Sequence, residues 1–159
     1  MSPRHLAVLR EIHARLHDSS VNWVITASLN LALQGLPVEV HDIDLQTDEA
    51  GAYEIERRFA DFVTRKVRFS EAKAIRSHFG ELMIDGIKVE LMGDVQIRRE
   101  DGSWAQAPDL DQHKQVVEVA GIPIPVLSLE YELTPYQKLG RVEKVDLLRS
   151  WLSTEHGKE

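Results

Sequence analysis

The chain contains no cysteine, which excludes disulfide bonds and thiolate metal centres and leaves only oxygen and nitrogen side chains as metal ligands. It also has no apolar run of membrane-spanning length, and its first residues, Met1-Ser2-Pro3-Arg4-His5, lack the apolar core of a secretory leader. These absences lead us to expect a cytoplasmic protein. Excess positive charge is missing too. The formal net charge of -7 argues against broad, non-specific binding to DNA. Basic residues do gather at 57, 58, 65, 66, 68, 73 and 76, against only Asp61 and Glu71. A solvated face explains most of them, although a phosphate-rich ligand would also suit such a stretch. No repeat, low-complexity tract or linker divides the chain, and its 159 residues suffice for one domain with a real core.

What is present is a pattern of acids. In His41-Asp42-Ile43-Asp44-Leu45 two carboxylates stand two positions apart among apolar residues. On a strand they share one face, while Ile43 and Leu45 turn to the other. Two acids side by side repel, and a hard divalent cation between them removes the repulsion. The motif is weak alone. With 26 acids in the chain, roughly four acid-x-acid pairs arise by chance, and four occur, at 42/44, 54/56, 109/111 and 130/132. Only the first lies in a strand-like run. The pair 54/56 falls in a helical pattern, 109/111 follows Pro108 in a loop, and 130/132 opens a helix.

The coarse order of elements follows from periodicity and punctuation. A first helix runs from Pro3 to about Asp18, and its His13 and His17 read as surface residues. Strand Val21 to Thr26 turns at Ala27-Ser28 into a short helix ended by Gly35. The strand with the Asp pair comes next, then a helix over residues 50–64 and a strand at Val67 to Phe69. Residues 71–79 read as helix. Asp85-Gly86 between two apolar runs marks a hairpin. Val95 to Ile97 reads as a short extra strand, and residues 104–112 as a loop. A second hairpin forms around Gly121, with Pro123 and Pro125 assigning its second arm to a sheet edge. Two helices, 129–139 and 142–152, close the chain around Gly140.

In Ile87-Lys88-Val89-Glu90-Leu91, Glu90 points away from the apolar residues. It is a solvent-facing acid unless its strand lies beside the Asp pair, in which case it becomes a third member. Val24-Ile25-Thr26-Ala27-Ser28 runs a strand into a helix start, aiming amides and a hydroxyl at an anion. The plainer reading is that Ser28 caps the helix.

Taken together, Trp23-Val24-Ile25-Thr26-Ala27-Ser28, then His41-Asp42-Ile43-Asp44-Leu45, then Val89-Glu90-Leu91 resembles the nucleotidyltransferase superfamily of the polymerase-beta type, in particular its minimal and small antibiotic members. The motifs cover residues 21 to about 92, and residues 136–144 look like the closing helices of small members. The pattern departs at Ala27, where the family usually has Gly. The resemblance implies an α+β fold: a mixed β-sheet flanked by helices, with a catalytic core over about 20–127 and closing helices over about 128–154. It implies a Mg²⁺-dependent enzyme that moves a nucleoside monophosphate from an NTP to a hydroxyl on a small molecule, RNA end or protein, releasing pyrophosphate. Asp42, Asp44 and Glu90 would be the catalytic residues and would ligate two Mg²⁺ ions. Ala27 and Ser28 would contact the phosphates, and Lys138, Arg141 or Lys144 the nucleotide, where a surface role is the alternative. A protein partner or a homodimer often completes the acceptor site of small members. The runner-up is a nucleotidyltransferase-like module that binds a nucleotide or protein with little or no catalysis.

Overall fold

A computed structural model describes residues 1–154. The elements are α1 (Pro3–Leu16), β1 (Trp23–Thr26), α2 (Ala27–Leu33), β2 (Ile43–Thr47), α3 (Glu49–Arg58), β3 (Val63–Glu71), β4 (Ile75–Ile84), β5 (Ile87–Ile97), α4 (Leu110–His113), β6 (Lys114–Val119), β7 (Ile122–Leu127), α5 (Leu129–Lys138) and α6 (Val142–Ser153). All seven strands form one mixed sheet in the order β3-β4-β5-β2-β1-β7-β6, so the fold is α+β as expected. No described helix is long and apolar enough to cross a membrane.

Side-chain alternation divides the sheet into two chemically different faces. Trp23, Ile25, Ile43, Leu45, Val89 and Leu91 fill one face and pack with Leu9, Ile12 and Leu16 of α1 and Ile55 of α3. Their intervening neighbours Thr26, Asp44 and Glu90 stand on the opposite face. There the covering layer comes from α2 and the closing helices, through Leu31, Leu129, Tyr136, Val145 and Leu148. Val24, Leu110 and Leu127 form a smaller cluster. Helix α1 is started by Ser2, whose hydroxyl accepts from the His5 amide at 3.3 Å. His5 Nε2 in turn donates to the His41 carbonyl at 2.9 Å, which fixes the chain as it approaches β2.

Both hairpins occur where expected. Asp85 and Gly86 have φ of 50° and 76°, and Ala120 and Gly121 have 49° and 83°, the left-handed pairs that two-residue turns require. Four expectations need correction. Residues 71–79 are not helical, because Ile75–Ile84 pairs with β5 along its whole length; its alternation is broken by Gly80, which leaves room for Val67 of β3. Val95 to Ile97 is the end of β5, not a separate strand. The 104–112 loop contains the start of a short helix at Leu110. Finally, β7 with its two prolines lies inside the sheet, and β6 is the edge. The prolines are tolerated because β1 meets β7 in register only at Ile25 and Val126, so they lie outside that short ladder. The basic residues at 57–76 are partly absorbed in ion pairs, including Arg57 and Arg58 with Glu54 and Arg76 with Glu71.

Ala27 begins α2 with φ of 61°, a left-handed conformation that costs a side-chain-bearing residue roughly 1–2 kcal/mol. Glycine would avoid that cost but loses about 0.4–1 kcal/mol more chain entropy on folding. Ala27→Gly is therefore expected to stabilise the protein by about 0.5–1 kcal/mol. Urea unfolding of the two forms measures this, and a loss of stability would contradict it.

Candidate active site

Strand β5 lies beside β2 and runs parallel to it, with Asp44 opposite Glu90. Across the other edge of β2, Asp44 pairs with Thr26 of β1. Asp42 sits one residue before β2 begins, half-exposed beside the same strand end. The two Asp residues and Glu90 that the sequence pattern singled out are thus brought to one place. Lys88, two residues before Glu90 on β5, reaches into the group: its Nζ is 3.6 Å from Asp42 Oδ2 and 3.8 Å from Glu90 Oε1.

The electrostatics follow from this crowding. Burial, and then the charges of Glu90, Asp42 and Glu132, push the Asp44 carboxyl up to about 7. Glu90 is also raised, by burial first, with Lys88 pulling it back. The cluster is short of positive charge, and Lys88 supplies only part of what is missing. Among the described residues no three acidic or imidazole groups converge tightly enough to enclose a cation as they stand. The donors themselves, all carboxylates, are those that Mg²⁺ takes, so the residues present fit a divalent ion by chemistry and by charge.

A fourth acid, set aside in the sequence as part of the helix-opening 130/132 pair, borders the site from α5. Glu132 of α5 is 3% exposed. Its carboxylate accepts hydrogen bonds from Thr26 Oγ1 at 2.9 and 3.0 Å, from the Ala27 amide at 2.7 Å and from Asn30 Nδ2 at 2.8 Å. Asn30 Nδ2 also donates to the Leu127 carbonyl. Burial raises the pKa of Glu132, and the bonds from Asn30, Thr26 and Ala27 oppose that rise. The acid therefore clamps the closing helices onto the β1–α2 turn. A signal was available in the sequence: Glu132 lies on the helical stripe Leu129, Leu133, Tyr136, where a charge is out of place unless it is paired.

The phosphate-contact candidates are arranged around this clamp. The first amide of α2, that of Ala27, is already engaged by Glu132. Ser28 lies one position inside α2, partly exposed, and does not cap the helix; the cap position is Thr26. Lys138 and Arg141 are exposed. Arg141 lies over the Tyr136 ring, 5.8 Å from its centroid. Tyr136 is buried, its hydroxyl driven further from ionisation by burial and by Glu132. Lys138 stands at the far end of α5.

Removing the clamp leaves Thr26, Ala27 and Asn30 without their acceptor. Glu132→Ala is expected to cost about 3 kcal/mol, read as a lowered urea midpoint; a change below about 1 kcal/mol would show that the network carries little stability. A second expectation concerns pH. The folded protein holds a proton on Asp44 until about pH 7, whereas the unfolded chain releases it near the ordinary value of 3.8. The folded state thus binds more protons between these limits. In chelator-treated protein this contribution is fully present below about pH 4 and is lost as pH rises to about 7. Asp44→Asn should remove a slice of that slope on the order of 2–4 kcal/mol. Urea midpoints at pH 5 and pH 8 check it, and identical slopes in the two forms would refute it.

Comparisons with known proteins bear on the family and the fold. The family model for aminoglycoside-2''-adenylyltransferase matches residues 8–149. A comparison with curated proteins returns no match. Among solved structures, a provisionally named nucleotidyltransferase from Thermotoga maritima is 62% identical, with 96% of this chain and 94% of that chain covered and a TM-score of 0.86. The lincosamide antibiotic adenylyltransferase LnuA, bound to lincomycin, superposes with a TM-score of 0.58 at 13% identity, covering 94% of this chain and 98% of its own. ANT(2'')-Ia in complex with adenylyl-2''-tobramycin gives 0.60 at 14% identity, covering 94% and 90%. At those low identities the last two speak for the fold alone. With the family model spanning most of the chain and the close Thermotoga relative beside it, the chain belongs to the aminoglycoside-2''-adenylyltransferase family of nucleotidyltransferases.

Proposed function

We propose that the protein is a Mg²⁺-dependent nucleotidyltransferase that moves a nucleoside monophosphate from an NTP to a hydroxyl acceptor and releases pyrophosphate. The observation that carries this reading is the registry of Asp44 against Glu90 on neighbouring parallel strands, with Asp42 at the strand's start. Asp42, Asp44 and Glu90 would hold the metal, up to two ions, and bound metal would neutralise charge on the attacking and leaving oxygens.

The chain's own groups have separable tasks. The Ser28 hydroxyl and the following α2 amides face the phosphates. Glu132 holds the turn that presents them. Glu90 takes the proton of the acceptor hydroxyl, whose oxygen forms a bond to the α-phosphorus as the bond to the bridging oxygen breaks and pyrophosphate leaves with the electron pair. A carboxylate with a raised pKa suits that role. Lys88 holds Asp42 and Glu90 in place and tempers their repulsion. The family name makes an aminoglycoside hydroxyl the first acceptor to test; an RNA end or a protein hydroxyl follows. The Ala27–Glu132 bond and the Lys88 contacts favour one second reading, a nucleotide- or protein-binding module with little or no catalysis, because internal groups partly meet the site's needs.

The experiment is a screen of labelled NTPs with Mg²⁺ against aminoglycosides, RNA and cell extract, scored by transferred label and pyrophosphate. Transfer supports the enzyme, and nucleotide binding without transfer supports the module. In the enzyme, Asp42→Asn or Asp44→Asn is expected to abolish transfer. Glu90→Gln is expected to lower the rate about 10²- to 10⁴-fold even at saturating Mg²⁺, because an amide cannot accept the proton. Full rescue by added metal would leave Glu90 as a ligand only.

A further inference from the structure

Gln46 follows Asp44 by two positions on β2 and therefore shares its face, roughly 7 Å further along the strand. It is 7% exposed, and its amide makes no hydrogen bond with any described residue. Among the described residues no fully buried side-chain nitrogen or oxygen lacks a partner, so this amide keeps access to the space beside it. It lines a cavity of about 60 Å³ between the sheet and α5, walled by Val95, Ile97, Pro108 and Tyr131 and bordered by Lys138.

The cavity is built by a specific irregularity. Asp94 has φ of 52°, and the β4–β5 register shifts beside it. The extra residue of this bulge reverses the alternation of β5. Val95 and Ile97 consequently turn to the face that holds Glu90, where regular alternation would have placed Asp94. Lys138 also borders a wider cleft of about 580 Å³ with Arg98 and Arg99.

We propose that this cavity receives the nucleobase of the nucleotide, read by the Gln46 amide, on the footing that the protein is a nucleotidyltransferase. A flat ring with apolar faces and a polar edge matches apolar walls edged by the amides of Gln46 and Gln106 and by Thr134; of these, the Gln46 amide, two positions beyond Asp44 on β2, offers one donor and one acceptor side by side. Glutamine makes such paired contacts to base edges. The position is also right: a base here lies one ribose away from a phosphate held beside Asp44. A polycationic acceptor suits the cavity poorly, because Lys138 borders it and Arg98 and Arg99 line the neighbouring cleft that shares Lys138. Lys138 thereby gains a role as the cation at the rim of the base pocket.

The test is titration calorimetry with the Mg²⁺ complexes of ATP, GTP, CTP, UTP and inorganic tripolyphosphate. Wild type is expected to prefer one nucleotide over tripolyphosphate. Gln46→Leu should weaken that nucleotide about tenfold or more and level the four NTPs, with tripolyphosphate affinity unchanged. Ala105→Phe, which fills the cavity from its rim while keeping the amide, should do the same, and decides the matter if Gln46→Leu does not fold. Unchanged discrimination in the folded variants overturns the pocket. Equal binding of tripolyphosphate and every NTP by wild type overturns it while leaving a triphosphate site. Binding of neither by wild type overturns the nucleotidyltransferase reading along with it.

Discussion

The buried carboxylate of Glu132 is the constraint on which the rest of the site depends. Burying a charge is costly unless it is paired or fully hydrogen-bonded, and here a hydroxyl, a backbone amide and a side-chain amide all point at it. Those donors belong to β1 and α2, while the acid belongs to α5. One interaction therefore sets the left-handed start of α2, the position of the closing helices and the roof over Asp44. It also adds negative charge close to Asp44, which is one reason that carboxyl is so reluctant to ionise.

The site balances repulsion against placement. Asp42, Asp44, Glu90 and Glu132 meet at one end of the sheet, with Lys88 beside Asp42 and Glu90 and Lys144 acting on Glu132. A purely structural cluster would be better served by apolar residues, since hydrophobic replacement of buried charges is often neutral or stabilising. Under the proposed function, a bound divalent cation would offset this excess of negative charge. The same helix that carries Glu132 carries Tyr131 and Lys138 on the other side of the acids, so one element borders both the acid cluster and the cavity beyond it.

How legible this was in the sequence depended on whether the signal was local. Asp42 and Asp44 stood out because acids alternated with apolar residues at the strand period, and Glu90 repeated that pattern. The registry that joins them could not be read, because it is set by how β5 packs beside β2. The 71–79 stretch resembles a helix because it holds the end of β3, a turn and the start of β4, with irregular pairing between Arg76 and His78, so no strand-period alternation runs through it. The prolines of β7 suggested an edge, and only the shortness of β1 explains why they sit inside the sheet. Glu132 was passed over because its acid-x-acid spacing looked like a helix start. Its misplacement on an apolar stripe was the informative feature.

The span of the clamp has a consequence for how the protein is made. Thr26 and Glu132 lie 106 residues apart in the chain, and β1 acquires its partner β7 only after most of the chain has been synthesised. Contacts of such long range form late, since the loop they close must be ordered first. On the ribosome, the Asp44–Glu90 pairing has its strands available well before α5 emerges. During that interval the acids lack their roof and the β1–α2 turn lacks its acceptor, so a chain cut short before α5 would carry the motif of this family without its architecture.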